Sequence, residues 1–279
     1  MLNASADLTI LAASNEIQQK DASVSQHDTG LELSDEEMHL YSRQILLEGW
    51  DLDAQERLKL ANVLIVGCGG IGCAAAELLA RAGVGKITLI DADSIEISNL
   101  QRQMAFSQSD LGFYKSEVLA KRLQQINPHI HVSSIAAKLD ESNAEQLIAA
   151  QDLVLDGCDN FSTRYLVNQV CRQQAVPLIS ASAIGFQGQL FMQEGGSACY
   201  ECLFSKGQHA NESLRCADSG VLATTPNVMA SLQAHHALLY LGLNLTPLKQ
   251  KLLLWDGLSM KQRILGFGPD ENCPVCQAR

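Results

Sequence analysis

Two hydrophobic periods alternate along this chain. Within Ala61 to Val66, the residues Val63, Leu64, Ile65 and Val66 form an unbroken apolar run, the pattern of a strand covered on both faces. The run enters Gly67-Cys68-Gly69-Gly70-Ile71-Gly72, and Ala74 to Ala82 then reads as an Ala- and Leu-rich helix stopped near Gly83. Lys86 to Ile90 predicts a second parallel strand that ends at Asp91. The rhythm repeats with a helix over Lys115 to Ile126, stopped before Pro128, and a strand over His129 to Ile135. A helix over Ala144 to Ala150, a short strand at Leu153 to Leu155, a helix over Thr163 to Gln174 and a strand at Val176 to Ile179 follow. Gly185 and Gly188 bracket a turn before an extended Gln189 to Gln193. Thr224-Thr225-Pro226 suits a cap and first turn of a helix reaching Leu241. Lys251 to Trp255 and Arg263 to Phe267 read as a late antiparallel pair joined around Asp256 and Gly257.

Ahead of the first strand, Ser34 and Glu37 form a capping-box pattern that opens a helix over residues 35–48, and Asp53 to Leu60 reads as another. Strand, glycine turn, helix, strand is half of a doubly wound nucleotide fold. The expectation is an α/β, Rossmann-like domain over residues 38–279, with a mixed sheet that is largely parallel first and antiparallel late. Residues 1–37 are polar and predict a flexible extension with a short helix near Leu8 to Gln19.

Composition narrows the function. Of 279 residues, 47% are hydrophobic and 18% charged, so a substantial core is available. The formal net charge of −11 argues against a binder of nucleic-acid backbones. No apolar run reaches a membrane span, and Leu8 to Ala13 lacks the basic leader of a secretory signal. These features predict a cytoplasmic protein with no nucleic-acid or membrane partner.

Gly67, Gly69 and Gly72 fit the G-x-G-x-x-G fingerprint, in which a tight turn, a close backbone approach and a helix N-terminus receive phosphates. Asp91, at the next strand end, is placed to accept bonds from ribose hydroxyls. Asn99, Arg102 and Gln103 follow on the phosphate side, with Lys115 as a second cation. Such a concentration of positive charge suits a triphosphate and phosphoryl or nucleotidyl transfer better than a dinucleotide reductase. Asp156 and Asp159 end another strand, and either could hold magnesium against phosphate oxygens or cap the Thr163 helix.

Nine cysteines are an odd set for a disulfide framework. Cys199-Tyr200-Glu201-Cys202 and Cys273-Pro274-Val275-Cys276 repeat one C-x-x-C spacing. Four thiolates in two such pairs suit a tetrahedral structural zinc that clamps the late region to the central domain, with an iron–sulfur cluster or a redox dithiol as alternatives. Cys68, Cys73, Cys158 and Cys171 read as buried small hydrophobes.

Taken in order, Ser42-Arg43-Gln44, Gly67 to Gly72, Asp91-Ala92-Asp93, Ser98 to Gln103, Lys115, Asp156 to Asn160 and the two cysteine pairs resemble the MoeB/ThiF/HesA family, bacterial relatives of ubiquitin-activating enzymes. The resemblance runs from about Leu40 to the end. It implies ATP-dependent adenylation of the C-terminal Gly-Gly carboxylate of a small ubiquitin-like sulfur-carrier protein, with release of pyrophosphate. By matching motif, Asp91 takes the ribose and Asn99, Arg102 and Lys115 the phosphates. Asp159 organises magnesium and the reacting groups. Arg43 reaches the ATP phosphates from the neighbouring subunit, which implies a homodimer. The four paired cysteines hold zinc. Cys216 sits where some relatives use a cysteine in sulfur transfer and others dispense with it. The complete cysteine set and short C-terminus point toward the molybdopterin branch, with a thiamin-type carrier and a catalytic Cys216 as the alternative. An NAD-dependent oxidoreductase and a noncatalytic scaffold are the rivals; the first leaves Arg102, Lys115 and the Asp156/Asp159 group without a role.

Overall fold

The computed structural model describes residues 32–206 and 220–277. Two helices, α1 (Asp35–Ile45) and α2 (Asp51–Leu60), precede strand β1 (Asn62–Val66). Then come α3 (Gly72–Ala82), β2 (Lys86–Ile90), α4 (Lys115–Ile126), β3 (His131–Ile135), α5 (Ala144–Ala149), β4 (Leu153–Asp156) and α6 (Phe161–Gln173). The later part holds β5 (Leu178–Ile184), β6 (Gln187–Gln193), α7 (Tyr200–Leu203), α8 (Thr224–Leu243), β7 (Lys251–Asp256), β8 (Lys261–Gly266) and α9 (Pro274–Gln277). The strands form one eight-stranded sheet in the order β3-β2-β1-β4-β5-β6-β7-β8. The first five strands pair in parallel, and β5 to β8 pair antiparallel. The expected mixed sheet is therefore present.

The apolar run of β1 is explained by its central place. Val63 and Ile65 face one core with Leu58, Leu79, Leu119 and Met229, whereas Leu64 and Val66 face a second core with Ile148, Val167 and Cys171. Helices α2, α3, α4 and α8 cover the first face, and α5 and α6 the second. β1 and β4 are neighbours whose following helices leave to opposite faces. Their carboxyl ends thus flank a topological switch point, where open α/β sheets bind ligands.

Several boundaries differ from expectation for local reasons. The first helix stops at Ile45 rather than 48, and the chain turns through Gly49 at φ 82. Its start is the expected one: Ser34 and Glu37 form the capping box, and Glu37 is buried beside Lys59 at 2.8 Å. The strand placed at Val176 to Ile179 runs instead from Leu178 to Ile184. Its Ser180-Ala181-Ser182-Ala183 stretch hides the alternation because small side chains are all that fits: Ala181 and Ala183 join the α8-side core, and Ser180 hydrogen-bonds Asp156. Gly188 is not a turn residue. It lies inside β6, where a Cβ would come 2.3 Å from the Met229 sulfur of α8. Pro226 is the third residue of α8, still within the turn whose N–H groups lack intrahelical partners. The expected helix near Leu8 to Gln19 lies outside the described residues.

Candidate functional site

The switch point gathers three loops. The glycine loop comes first. Gly67 takes φ +88, and a Cβ on Gly72 would lie 1.8 Å from the Gly67 carbonyl oxygen. Only glycine lets α3 start this close to the turn. No side chain caps the N-terminus of α3, so its end is left to an anion. The β4–α6 loop packs against it. The Gly67 Cα faces the Cys158 backbone, where an added Cβ would be 3.3 Å away, and Gly157 abuts the Gly72 nitrogen in the same way at 3.1 Å. The segment after β2 closes the third side. A Cβ on Gly70 would be 3.5 Å from the Arg102 stem, and one on Gly69 would be 3.8 Å from Gln103 Nε2.

Most of the expected residues converge here. Asp91 uses its carboxylate as a strut: Oδ2 accepts from Cys68 N at 2.6 Å and Oδ1 from Asp93 N at 2.7 Å. Each oxygen keeps a second lone pair for a ribose hydroxyl. Burial raises the Asp91 carboxyl above its ordinary value, against the two N–H bonds and the Lys115 charge that pull it down. Lys115 is buried at the start of α4 and donates to Asp93 Oδ2 at 2.8 Å. Arg102 is half-buried and donates to the Ser98 carbonyl at 3.1 Å. Asn99 is buried and its Oδ1 accepts from Glu96 N, holding the turn that presents Arg102. Gln103 is 3% exposed and its Oε1 has no hydrogen-bond partner among the described residues. A buried orphan acceptor beside a glycine loop fits a bound donor such as a nucleotide amine or hydroxyl.

The two aspartates after β4 separate sharply. Asp156 is fully buried. Its oxygens accept from Arg164 Nε at 2.9 Å, Ser180 Oγ at 2.6 Å and Cys158 N at 3.0 Å. Its carboxylate is spent on these partners, whereas Asp159 is exposed on the loop. Asp159 does not cap α6. That role belongs to Asn160, whose Oδ1 accepts from Thr163 N at 2.9 Å.

Arg43 is the expected residue that does not join the group. It lies exposed on α1, and its neighbour Gln44 donates to the Ala82 carbonyl at the far end of α3. At 1.5 Å per residue, the 11 residues of α3 put that point about 16 Å from the glycine loop. The α1 residue next to Arg43 is thus anchored at the end of α3 away from the glycine loop. Cys216 lies outside the described residues.

Cys199, Cys202, Cys273 and Cys276 do come together, with all four sulfurs within 4.8 Å of one another. The sulfur–sulfur distances are 3.8 Å for Cys199–Cys202 and 3.5 Å for both Cys199–Cys273 and Cys202–Cys276. Disulfides would need about 2.05 Å. A tetrahedron with metal–sulfur bonds of about 2.3 Å has edges of about 3.8 Å, so the set fits one zinc-sized ion. Among the described residues it is the one cluster of three or more potential ligands found at this spacing. The remaining described thiols are different. Cys68, Cys73 and Cys171 are buried and Cys158 is partly so. Burial lifts all four, that of Cys73 to about 11.

Arg164 is the functional candidate that pattern reading passes over. It sits in the first turn of α6, where the helix dipole disfavours a cation. That misplacement is the available signal that it has a fixed anionic partner.

A model of the ThiF family matches residues 41–275. The molybdopterin-synthase adenylyltransferase of Escherichia coli K12 is 42% identical over 247 residues, covering 88% of this chain and 98% of that protein. The sulfur carrier protein ThiS adenylyltransferase of the same organism is 40% identical over 246 residues, covering 88% and 97%. Among solved structures, E. coli MccB with ATP superimposes with a TM-score of 0.75 at 30% identity, covering 85% of this chain and 73% of that one.

Proposed function

The chain belongs to the ThiF family, and on that premise we propose that it activates a small ubiquitin-like sulfur carrier by adenylating its terminal Gly-Gly carboxylate. It is an ATP-dependent adenylyltransferase, which removes the oxidoreductase and scaffold readings. The observation that carries the residue assignment is the convergence of the Arg102, Lys115 and Asp159 loops on one glycine turn at the switch point.

The chemistry asks two anions to meet: a carboxylate oxygen and the α-phosphorus of ATP. Arg102 and Lys115 offset that repulsion and the charge gathering on pyrophosphate. Asp91 orients the ribose, Asn99 and Gln103 fix the approach of the nucleotide, and the amides of Gly67 to Gly72 line its phosphates. Asp159 would hold Mg²⁺, which supplies charge neutralisation on the phosphate oxygens. No side chain of the protein needs to act as a nucleophile.

Arg43, exposed on α1 beside a residue anchored at the far end of α3, fits a role in the partner subunit's site, and a homodimer follows from that assignment. The four paired cysteines would hold one structural zinc per chain. The molybdopterin-type carrier is the preferred substrate. The near-equal identity to the ThiS enzyme keeps a thiamin-type carrier, with Cys216 in sulfur transfer, as the second reading.

The test is ATP–pyrophosphate exchange with purified Gly-Gly-ended carriers. Exchange should depend on a carrier and vanish in Asp159→Ala, while the melting temperature stays near that of the parent. Silence across a panel of such carriers would remove the proposed substrate class. Near-normal exchange by Asp159→Ala would remove that residue from the mechanism.

A further inference from the structure

We infer that Arg164, locked to Asp156, is a positioning residue whose task is to set the peptide that presents Asp159. This deepens the reading above and rests on Asp159 as the magnesium-organising group.

The geometry is specific. Asp156 ends β4, and Gly157 N is tied to the Val66 carbonyl of β1 at 3.0 Å. The next residue is gripped on both of its backbone groups. Cys158 N donates to Asp156 Oδ1 at 3.0 Å, and the Cys158 carbonyl accepts from Arg164 Nη2 at 2.6 Å. That carbonyl belongs to the peptide plane that carries the Asp159 nitrogen, so Arg164 fixes the orientation from which Asp159 projects. On the other side, Asn160 is pinned as the cap of α6. Between residues 156 and 160, Asp159 is the one exposed position, held between two immobile neighbours.

Arg164 is itself over-determined. It is 6% exposed, with Nε on Asp156 Oδ2 at 2.9 Å and Nη2 also reaching the Ala181 carbonyl at 3.2 Å. The Tyr200 ring lies 5.7 Å from its guanidinium carbon. The far end of the anion is braced as well, by Ser180 Oγ on Asp156 and by Gln233 Nε2 on the Asp156 carbonyl at 2.9 Å. Stability alone is a poor reason for such a pair. Burying two charges carries a desolvation cost that apolar residues of similar volume avoid. A planar fork that holds one carboxylate and two carbonyls at fixed angles is, in contrast, what loop placement requires.

The test compares the full-length parent with Arg164→Lys, which keeps the charge and loses the fork. Outer groups that orient metal-holding side chains change metal affinity by about 10- to 100-fold when altered. The half-saturating Mg²⁺ for ATP–pyrophosphate exchange should rise on that scale, and the apparent KM for the carrier should stay near the parent's. In nucleotide-free protein, deuterium uptake by a peptide spanning residues 154–162 should quicken while one spanning 61–66 is unchanged. Electron paramagnetic resonance with Mn²⁺ and ATP gives an activity-independent measure of the same affinity loss. If Arg164→Lys does not fold, the paired apolar variant Asp156→Leu with Arg164→Met is read in the same way. A folded variant with parental Mg²⁺ dependence, Mn²⁺ affinity and deuterium uptake overturns the positioning role. Asp159→Asn, run in parallel, separates the two failures. If Asp159→Asn keeps parental exchange and metal response, the assignment of Asp159 is at fault. If Asp159→Asn is inactive and the Arg164 variant behaves as the parent, only the inference about Arg164 falls.

Discussion

At the scale of single residues, the site is built as much by what is missing as by what is present. Gly72 shows this best, since even one methyl group there would overlap the Gly67 carbonyl at 1.8 Å. The clash is with backbone on both sides, so no rotamer change relieves it. Gly72→Ala is therefore expected to destabilise the fold by about 3 kcal/mol or more, the upper range for overpacking. Urea melts of the variant and parent check this. A shift of less than about 1 kcal/mol would mean the turn rearranges cheaply. Asp91 makes the complementary point. Sequence reading assigns it to ribose, and the structure adds a second duty, since it bolts the glycine loop to its own strand end through Cys68 N.

At the scale of elements, how far the sequence can be read depends on what each segment packs against. The β1–glycine–α3–β2 unit is readable because a strand buried on both faces and an Ala-rich helix each carry their own period. β5 is not, because its alanines and serines are chosen for room rather than hydrophobicity. For the same reason Asp156 and Asp159 look alike in sequence and differ in space, the first buried against Arg164 and Ser180 and the second exposed. The cap of α1 is a local signal that does hold. Ser34 N donates to Glu37 Oε2 at 2.9 Å and Glu37 N to Ser34 Oγ at 3.2 Å. Burial alone would raise the Glu37 carboxyl, but Lys59 and the Ser34 bonds outweigh it and leave it below its ordinary 4.5. A carboxyl lowered on folding contributes stability above its unfolded value, and that contribution is lost as pH falls through the folded value. Glu37→Gln should thus be less stable than the parent at pH 7, with the gap closing below about pH 4. Thermal melts across pH settle it, and a gap that widens in acid contradicts it.

At the scale of the whole molecule, two long-range connections organise the protein. The first is the proposed reach of Arg43 into a partner subunit. If Arg43 serves a partner's site, Arg43→Ala and Asp159→Ala are each inactive as pure dimers. Random mixing then makes one intact site in half the dimers, so exchange should recover to about a quarter of the parental rate. No recovery after demonstrated subunit exchange excludes the trans assignment. The second connection is the four-sulfur cluster, which ties α7 to the chain end across a long loop. An ion there stabilises by closing that loop. Chelation at neutral pH should speed deuterium uptake at residues 199–204 and 273–277 while leaving β1 and β2 protected. Uniform loosening of the entire sheet would instead make the cluster part of the global fold. The eight described cysteines also sort themselves by environment. Four come together in the cluster, and burial raises the thiols of the other four. A maleimide dye offered to the native metal-loaded protein near pH 7 should therefore spare Cys68, Cys73, Cys158 and Cys171, so that these four need not be replaced before a reporter thiol is introduced elsewhere.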